Sequence, residues 1–288
     1  MNKELVLHYY GFDWDDNILF MPTTIIVLNS DGNEVEIETH EFAQYRDVIG
    51  TEPFDFKGQT IVGYPKTEDG TINYSVAFRN FRDHHDPDIF LNDTKQAIDD
   101  GLFGPSWLDF LECLTTGSLF AIITARGHET PFIRRSVEYI IDTFLKEDQQ
   151  NTMYHNLLKY SYLFNRNTDY DRHFSGKLTT SPLVKEYLGM CEYIGVSAPS
   201  RLDPENAMNP EKAKLRALMD FKTKVNRNVG KIGMKARIGF SDDDVKTVKV
   251  IEDLFDEINH EEFPNIIQWI VKNTSDPNNI TKTVNNRE

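Results

Sequence analysis

The chain has 288 residues, of which 39% are hydrophobic and 12% aromatic, a composition that excludes intrinsic disorder for the bulk of the chain. Its formal net charge of -15 opposes broad contact with nucleic-acid phosphates or anionic lipids, so nucleic acid is not an expected partner. Cys113 and Cys191 lack the spacing of a disulfide framework or a zinc site, and no signal peptide or membrane-spanning run is visible. We therefore expect a soluble, cytoplasmic protein without a membrane partner.

The first predicted strand is the apolar run at residues 5–12, which ends in an acidic cluster that contains Asp13 and Asp15. Two runs of strand-forming residues, at 23–28 and 34–39, flank an Asp-Gly-Asn turn. This arrangement predicts a β-hairpin directly after the acidic cluster.

Residues 41–100 carry a mixture of short patterns rather than one long periodic run. A short helix is predicted at 42–45, and residues 72–78 resemble a strand. We interpret this region as an insertion over the candidate site.

The middle of the chain predicts a buried strand between two helices. Apolar spacing indicates helices at residues 107–114 and 130–145, and between them the strand at 118–124 ends in a threonine. Further helices are predicted at 154–164 and 182–194.

The last third of the chain begins with a predicted helix at 210–225, whose Pro and Glu suit a helix N-terminus. A strand at 237–241 then ends in three consecutive acids, and a helix at 245–258 follows. Residues 266–271 form a last strand or helix, and the polar tail from residue 273 is expected to fray.

Three predicted strands thus end in side chains suited to chemistry: Asp13 and Asp15, then Thr124, then Asp242 and Asp243. Because strands separated by helices pair in parallel, these ends should meet at one edge of one sheet. Carboxylates there can attack phosphorus, move a proton and hold Mg²⁺, while a hydroxyl and backbone amides bind phosphoryl oxygens. The pattern therefore favours phosphoryl transfer.

The order of these elements resembles the haloacid dehalogenase (HAD) superfamily, in its aspartate-nucleophile phosphatase branch. That family has a strand ending in Asp-x-Asp, a second ending in Thr or Ser, a Lys at a helix start, and a third strand ending in paired acids. The chain departs from the common pattern at Asp16, where Gly is usual, and at Asn17, where Thr or Val is usual. The resemblance implies an α/β fold with a three-layer Rossmann-like core around a central parallel sheet.

The resemblance also implies a division of the chain. The catalytic core would comprise residues 1–22, 101–145 and 207–272, with a mixed α/β insertion and candidate cap at 23–100, a helical insertion at 146–206 and a flexible tail at 273–288.

Carried over to this chain, the resemblance makes Asp13 the nucleophile that forms an aspartyl-phosphate, and Asp15 the general acid and base. Two neighbouring carboxylates can hold different protonation states, which this division of roles needs. Thr124 and the backbone amides of Ala125 and Arg126 would bind the substrate phosphate, and the Arg126 side chain would reach phosphate or an acid.

The resemblance implies Mg²⁺ as the cofactor, positioned by Asp13, Asp15, Asp242 and Asp243. For Asp15 the backbone carbonyl is the expected ligand, and an all-oxygen set is what Mg²⁺ prefers. The spacing does not decide which residue is the lysine of the HAD pattern, because two lysines near the start of the predicted helix at residue 210 match it. Lys214 is our choice and Lys212 the alternative, with a charge that would offset Asp13 and the phosphoryl group.

Other polar residues near these motifs are assigned structural roles. Asp16 and Asn17 are expected to form the turn, and Asp244 is expected to cap the following helix. His128 is interpreted as a solvated loop residue, and the His-rich run at 82–88 as a solvated loop rather than a zinc site.

The expected function is a magnesium-dependent phosphomonoesterase acting on a small phosphorylated metabolite, a nucleotide or a sugar phosphate. A phosphotransferase or phosphomutase uses the same acids and stays open. The further alternatives are a polynucleotide end phosphatase and a catalytically silent binding module on the same fold.

Overall fold

The computed structural model describes residues 6–82, 86, 88–164, 170–171, 176–201, 210–257 and 262–286. Within them the chain forms an α/β fold with a six-stranded, mostly parallel sheet and a separate four-stranded antiparallel sheet. The six-stranded sheet has helices on both faces.

The strands of the described residues, in chain order, are β1 (Val6–Phe12), β2 (Thr24–Asn29), β3 (Glu34–Glu38), β4 (Phe54–Phe56), β5 (Gln59–Gly63), β6 (Leu119–Thr124), β7 (Glu192–Gly195), β8 (Lys235–Asp242), β9 (Ile266–Asn273) and β10 (Thr281–Asn286). The α-helices are α1 (Thr39–Tyr45), α2 (Tyr74–Ala77), α3 (Ile89–Asp99), α4 (Trp107–Thr116), α5 (Thr130–Tyr139), α6 (Glu147–Leu163), α7 (Pro182–Met190), α8 (Pro210–Lys231) and α9 (Val245–Glu257).

The six-stranded sheet has the strand order β10-β9-β8-β1-β6-β7. Strands β9, β8, β1, β6 and β7 are parallel, and the register places Tyr10 of β1 beside Phe120 of β6 and Gly239 of β8. The edge strand β10 pairs antiparallel with β9, so the sheet is mixed. The sequence predicts a purely parallel sheet, and β10 departs from that prediction.

Strand β6 shows how the sheet builds two cores. Phe120 and Ile122 pack on one face against α4, α6 and α7, whereas Ala121 and Ile123 pack on the other face against α8. Because successive strand residues point to opposite faces, an uninterrupted apolar strand is buried on both sides. Each fully buried large apolar side chain contributes roughly 1.5–3 kcal/mol of transfer free energy.

The second sheet has the order β3-β2-β5-β4 and buries a small core of its own. Val27, Ile37 and Ile61 are the centre of that core. The predicted hairpin is confirmed as β2 and β3, and the predicted short helix as α1. The hairpin of β4 and β5 was not predicted.

Three sequence-based assignments are wrong. The strand-like run at 72–78 contains helix α2, because the Asn73 side chain accepts a hydrogen bond from the Val76 amide and caps a helix there. The predicted helix at 182–194 ends at Met190 and is followed by β7, which pairs with β6. The polar tail expected to fray contains β10, and the ambiguous run before it is β9.

Four elements of the predicted insertions belong to the structure around the large sheet. Helices α6 and α7, from residues 146–206, pack on one of its faces. Strand β7 lies within residues 146–206 and is the edge strand of that sheet opposite β10. Helix α3 lies within residues 23–100, yet its Phe90 and Ala97 join the core formed by α4, α6 and α7. The four-stranded sheet and α1 form the part of the insertion with a separate core.

Candidate functional site

The three strands with predicted functional ends lie side by side. Strands β8, β1 and β6 are neighbours and parallel, so the residues that follow them meet at the carboxyl edge of the sheet. Asp13 directly follows β1, while Thr124 and Asp242 end β6 and β8. The Asp13 amide donates a hydrogen bond to the Ser241 carbonyl (3.0 Å), which continues the pairing of β1 with β8 into the site.

Three carboxylates converge at this edge. One oxygen each from Asp13, Asp242 and Asp243 lies within 4.8 Å of the others. Nζ of Lys214 donates to Asp13 Oδ2 at 2.8 Å and to Asp242 Oδ2 at 2.9 Å. Oδ1 of Asp13 is buried and has no hydrogen-bond partner within the described part of the chain. An all-oxygen set with one unpartnered carboxylate oxygen fits a hard divalent cation such as Mg²⁺.

The cluster has an excess of negative charge. Burial raises the pKa of Asp13 well above its usual range; Lys214 opposes this shift and the acids Asp242 and Asp243 reinforce it. Burial and Asp242 likewise raise the pKa of Asp243. Burial acts to lower the pKa of Lys214, but Asp13 and Asp242 hold that pKa above its usual value. One ammonium therefore does not offset three carboxylates, of which two are buried and one is half-buried, and a divalent cation would supply the missing positive charge.

Helix α8 places only one of the two candidate lysines in the site. Lys214 is buried between the acids, whereas Lys212 is exposed. Two residues correspond to about 200° of rotation on an α-helix, so the two side chains point to opposite sides.

Asp15 lies beside this cluster, and its carboxylate is held by Arg126. Nε of Arg126 donates to the two carboxylate oxygens at 3.0 and 2.9 Å, and Nη2 donates at 2.6 Å. The Thr124 hydroxyl adds a hydrogen bond of 3.1 Å. Burial acts to raise the pKa of Asp15, but Arg126 and Thr124 together hold that pKa below its usual value. Asp15 is thus an ionised carboxylate, able to accept a proton.

Arg126 is wholly buried and is enclosed by residues of the first insertion. Its guanidinium carbon lies 4.8 Å from the ring centroid of Phe81 and 5.1 Å from that of Phe90. Nη2 donates to the Thr23 hydroxyl at 2.5 Å, and Nη1 lies 3.9 Å from Asp93. The side chain that the sequence predicts to reach phosphate or an acid therefore reaches an acid, Asp15.

The turn after Asp15 is formed by Asp16 and Asn17. Asp16 adopts a left-handed backbone conformation (φ 55°), which Asp tolerates better than most residues other than Gly. The Asn17 amide group donates to the Asp13 carbonyl (2.9 Å) and to Ser241 Oγ (3.0 Å), and so ties β1 to β8 below the acids. The structural roles predicted for both residues are confirmed.

The first insertion contacts the rim of the acid cluster. Arg46, at the end of α1, donates to both carboxylate oxygens of Asp244 (2.9 and 3.1 Å), and Thr39 donates to Asp16 Oδ1 (3.0 Å). Asp244 also accepts from the Lys246 amide at 2.9 Å, which confirms it as the N-cap of α9. The insertion thus holds the turn after β1 and the turn after β8 from the same side.

Several residues that complete the site have no signal in the sequence. Thr23, Phe81 and Asp93 surround Arg126 from three separate segments, and helix α3, which carries Asp93, was not predicted. Their common feature is contact with one buried arginine, which only the folded chain reveals. The central histidines of the His-rich run at 82–88 lie outside the described residues.

His128 is not the solvated loop residue that the sequence predicts. It is fully buried, its ring centroid lies 5.1 Å from that of Phe90, and neither ring nitrogen has a hydrogen-bond partner among the described residues. Burial and the positive charge of Arg126 lower the pKa of His128 to about 3. The imidazole is therefore neutral in the folded chain.

We expect His128 to make the fold sensitive to acid. The pKa of histidine in the unfolded chain is 6.5 and falls to about 3 in the folded chain, so between these values only the unfolded chain binds the proton. Stability is then lost as the pH falls below about 6.5, by about 2 kcal/mol at about pH 5. Urea unfolding of the natural chain and of His128→Gln at both pH values measures this loss.

The loss should be about 2 kcal/mol larger for the natural chain than for His128→Gln, whatever the acid cluster contributes to both. His155→Gln, which replaces an exposed histidine on α6, is the matched control and should keep the full loss. An unchanged pH dependence in His128→Gln would contradict the buried, neutral imidazole.

Comparison of the chain with protein-family models, with curated proteins and with solved structures found no match. Within the described residues, no helix has the length and apolar character needed to cross a membrane.

Proposed function

We propose that the protein is a magnesium-dependent phosphohydrolase with a HAD-like, three-layer Rossmann-like core, acting on a small phosphomonoester through an aspartyl-phosphate on Asp13. One observation carries the proposal. One carboxylate oxygen of Asp13 accepts from Lys214, and the other is buried without a partner among the described residues. One oxygen each of Asp13, Asp242 and Asp243 lies within 4.8 Å of the others. Such a cluster of like charges opposes folding and therefore points to a function.

In the proposed first step, a carboxylate oxygen of Asp13 attacks phosphorus and the bond from phosphorus to the ester oxygen breaks. The ester oxygen departs as the alkoxide and takes a proton from water. Lys214 offsets charge on Asp13 and on the phosphoryl group, and opposes the rise that burial causes in the pKa of the nucleophile. The backbone amide of Ala125 would bind a phosphoryl oxygen. The Thr124 hydroxyl and the Arg126 amide would do so on leaving their present acceptors, which are Asp15 and the Thr124 hydroxyl oxygen.

In the proposed second step, Asp15 accepts a proton from the water that hydrolyses the aspartyl-phosphate. Its contact with Arg126 keeps this carboxylate ionised before the water arrives, and the same contact makes it a weaker base. Donation of a proton to the leaving alcohol needs the protonated form of Asp15, which Arg126 disfavours. We therefore expect leaving groups of low pKa, which need less protonation, to react fastest.

Mg²⁺ would be held by Asp13, Asp242 and Asp243 with the backbone carbonyl of Asp15, and would neutralise both the acids and the phosphoryl oxygens. Arg126 then has a positioning role, because it holds the Asp15 carboxylate beside the cluster and apart from the carboxylate oxygens that would bind Mg²⁺. The four-stranded sheet with α1 would be the cap, since it contacts both turns at the site through Thr39 and Arg46.

The test is release of inorganic phosphate from a panel of sugar phosphates, nucleoside monophosphates and an oligonucleotide with a terminal phosphate. Release from a small ester should need Mg²⁺ and fall by at least about 100-fold on chelation, with recovery when Mg²⁺ is restored. A rate of phosphate release that is unchanged by chelation would contradict the metal assignment. Mg²⁺ binding without turnover of any ester would instead favour the silent binding module, and preference for the oligonucleotide would favour the polynucleotide phosphatase.

A further inference from the structure

Three rings of the first insertion form a row. Phe42 of α1, Phe78 directly after α2 and Phe81 follow one another, with ring centroids 6.0 Å apart between Phe42 and Phe78 and 6.1 Å apart between Phe78 and Phe81. All three side chains are half-buried, and Phe78 and Phe81 belong to none of the three buried cores that the described residues form. We call these three side chains the aromatic row.

One end of the aromatic row faces the acid cluster because of its place on α1. Successive residues of an α-helix are rotated by about 100°, so Thr39, Phe42 and Arg46 lie on one face of the helix. Thr39 donates to Asp16 and Arg46 donates to Asp244, in the turns after β1 and β8. The Phe42 side chain lies between these two contacts and therefore points toward the same two turns.

The other end of the aromatic row contacts the arginine that holds Asp15. The ring centroid of Phe81 lies 4.8 Å from the guanidinium carbon of Arg126, whose Nη2 donates to Asp15 at 2.6 Å. The row thus borders the site at both ends. Because the guanidinium lies between Phe81 and Asp15, the row is one group further from the acids than Arg126 is. A substrate group that stacks on the row therefore needs a spacer to the phosphorus.

The aromatic row offers ring faces to a ligand. The charged groups at its two ends, Arg46 and Arg126, each already bind a carboxylate. Sugar hydroxyls placed against the rings would lose their hydrogen bonds to water without replacement. A planar base stacks on such rings, and stacking on an aromatic side chain strengthens binding by about 5- to 100-fold per base. The row therefore favours an aromatic substrate group over a sugar alone.

We propose, on the basis of the proposed function, that the aromatic row binds the base of a nucleoside monophosphate whose phosphate lies in the acid cluster. Asn17 ties β1 to β8 below the acids, so the leaving group extends toward the first insertion, which holds the turns on the other side. The ribose is the spacer that carries the base past Arg126 to the row. Nucleoside monophosphates should therefore be better substrates than sugar phosphates.

Two esters that differ in the base test the proposal. Adenosine 5′-monophosphate and ribose 5-phosphate share the phosphate, the ribose and the leaving oxygen, and the natural chain should prefer the nucleotide by about 5- to 100-fold in kcat/KM.

Variants of the central ring locate the effect. Phe78→Leu should lose most of the preference and keep the natural rate on ribose 5-phosphate, which also shows that the variant is folded. Phe78→Tyr keeps the ring and should keep the preference. Phe164→Leu, at a half-buried ring that stacks on Tyr160 at the end of α6, is the matched control and should keep it as well.

Affinity separates base binding from the proposed function. Calorimetry with Asp13→Asn and Mg²⁺ measures binding without turnover, and adenosine 5′-monophosphate should bind about 5- to 100-fold more tightly than ribose 5-phosphate. A binding preference that Phe78→Leu removes, in a chain that hydrolyses neither ester, supports base binding and contradicts the proposed function. Magnesium-dependent hydrolysis of both esters with equal efficiency and equal affinity overturns base binding and leaves the proposed function intact.

Two further outcomes would overturn the assignment of the base to the aromatic row. One is a preference that Phe78→Leu keeps, or that Phe164→Leu loses to the same extent. The other is binding of phenyl phosphate, whose ring has no spacer, as tightly as the nucleotide. We expect phenyl phosphate to bind no more tightly than ribose 5-phosphate, because its ring does not reach past Arg126.

Discussion

Asp13→Asn should reduce magnesium-dependent phosphate release by at least about 10⁴-fold, the range seen when a covalent nucleophile is removed. The amide is a poor nucleophile, yet it has the same shape as the carboxylate and its carbonyl oxygen still accepts from Lys214. Because the substitution removes one negative charge from an over-charged cluster, the melting temperature should stay constant or rise. A variant that is inactive and at least as stable as the natural chain separates chemistry from folding.

Two measurements make this prediction specific. Acid quenching during turnover, followed by intact mass analysis, should find one phosphoryl group on the natural chain and none on Asp13→Asn. Asp31→Asn, in the exposed turn between β2 and β3, is the matched control and should release phosphate at the natural rate. Equal release by Asp13→Asn and the natural chain would exclude Asp13 as the nucleophile.

The position of the site could be predicted because it follows from the topology of the sheet. Apolar runs locate β1, β6 and β8, and parallel strands joined through helices must end at one edge. Asp13, Thr124 and Asp242 then meet without any knowledge of the side chains between them. The rotation of an α-helix likewise decides between Lys212 and Lys214 once one face of α8 is known to be buried.

The contacts of the Asp15 carboxylate could not be predicted, because its partners come from distant segments. Arg126 follows β6, and the rings that enclose it belong to Phe81 and Phe90, in a region without a periodic pattern. Burial of His128 depends on the same segment, since its ring packs against Phe90. A sequence pattern reports which face of an element is apolar, and it contains no information on which loop will cover a polar residue.

The elements missed by the sequence are short or lie at sheet edges. Strand β7 has four residues and immediately follows α7, so its apolar residues continue the helical pattern. Strand β10 is mostly polar because almost all of its residues are exposed, and its formation depends on hydrogen bonds to β9 rather than on burial. Apolar periodicity identifies buried strands and gives no signal for strands of this kind.

Lys214→Met should lower phosphate release by at least about 10³-fold while it tightens Mg²⁺ binding, an unusual pair of effects for one substitution. Without the ammonium, the charge on Asp13 and on the phosphoryl group is no longer offset in the proposed first step, so phosphate release falls. The oxygens of Asp13 and Asp242 that bind Lys214 also become free for the cation, which gains about tenfold in affinity when a nearby positive charge is removed.

Stability should follow the same charge balance. Metal-free Lys214→Met should lose about 3–5 kcal/mol, because removing one partner leaves buried acids uncompensated, and Mg²⁺ should restore part of this loss. Lys212→Met, an exposed lysine on the same turn of α8, should change none of the three quantities. Calorimetry of Mg²⁺ binding, thermal melts and phosphate release on both variants provide the readouts. Loss of activity in Lys212→Met instead would contradict the choice of Lys214 as the lysine of the site. Weaker Mg²⁺ binding in Lys214→Met would show that Lys214 does not compete with the cation for these carboxylates.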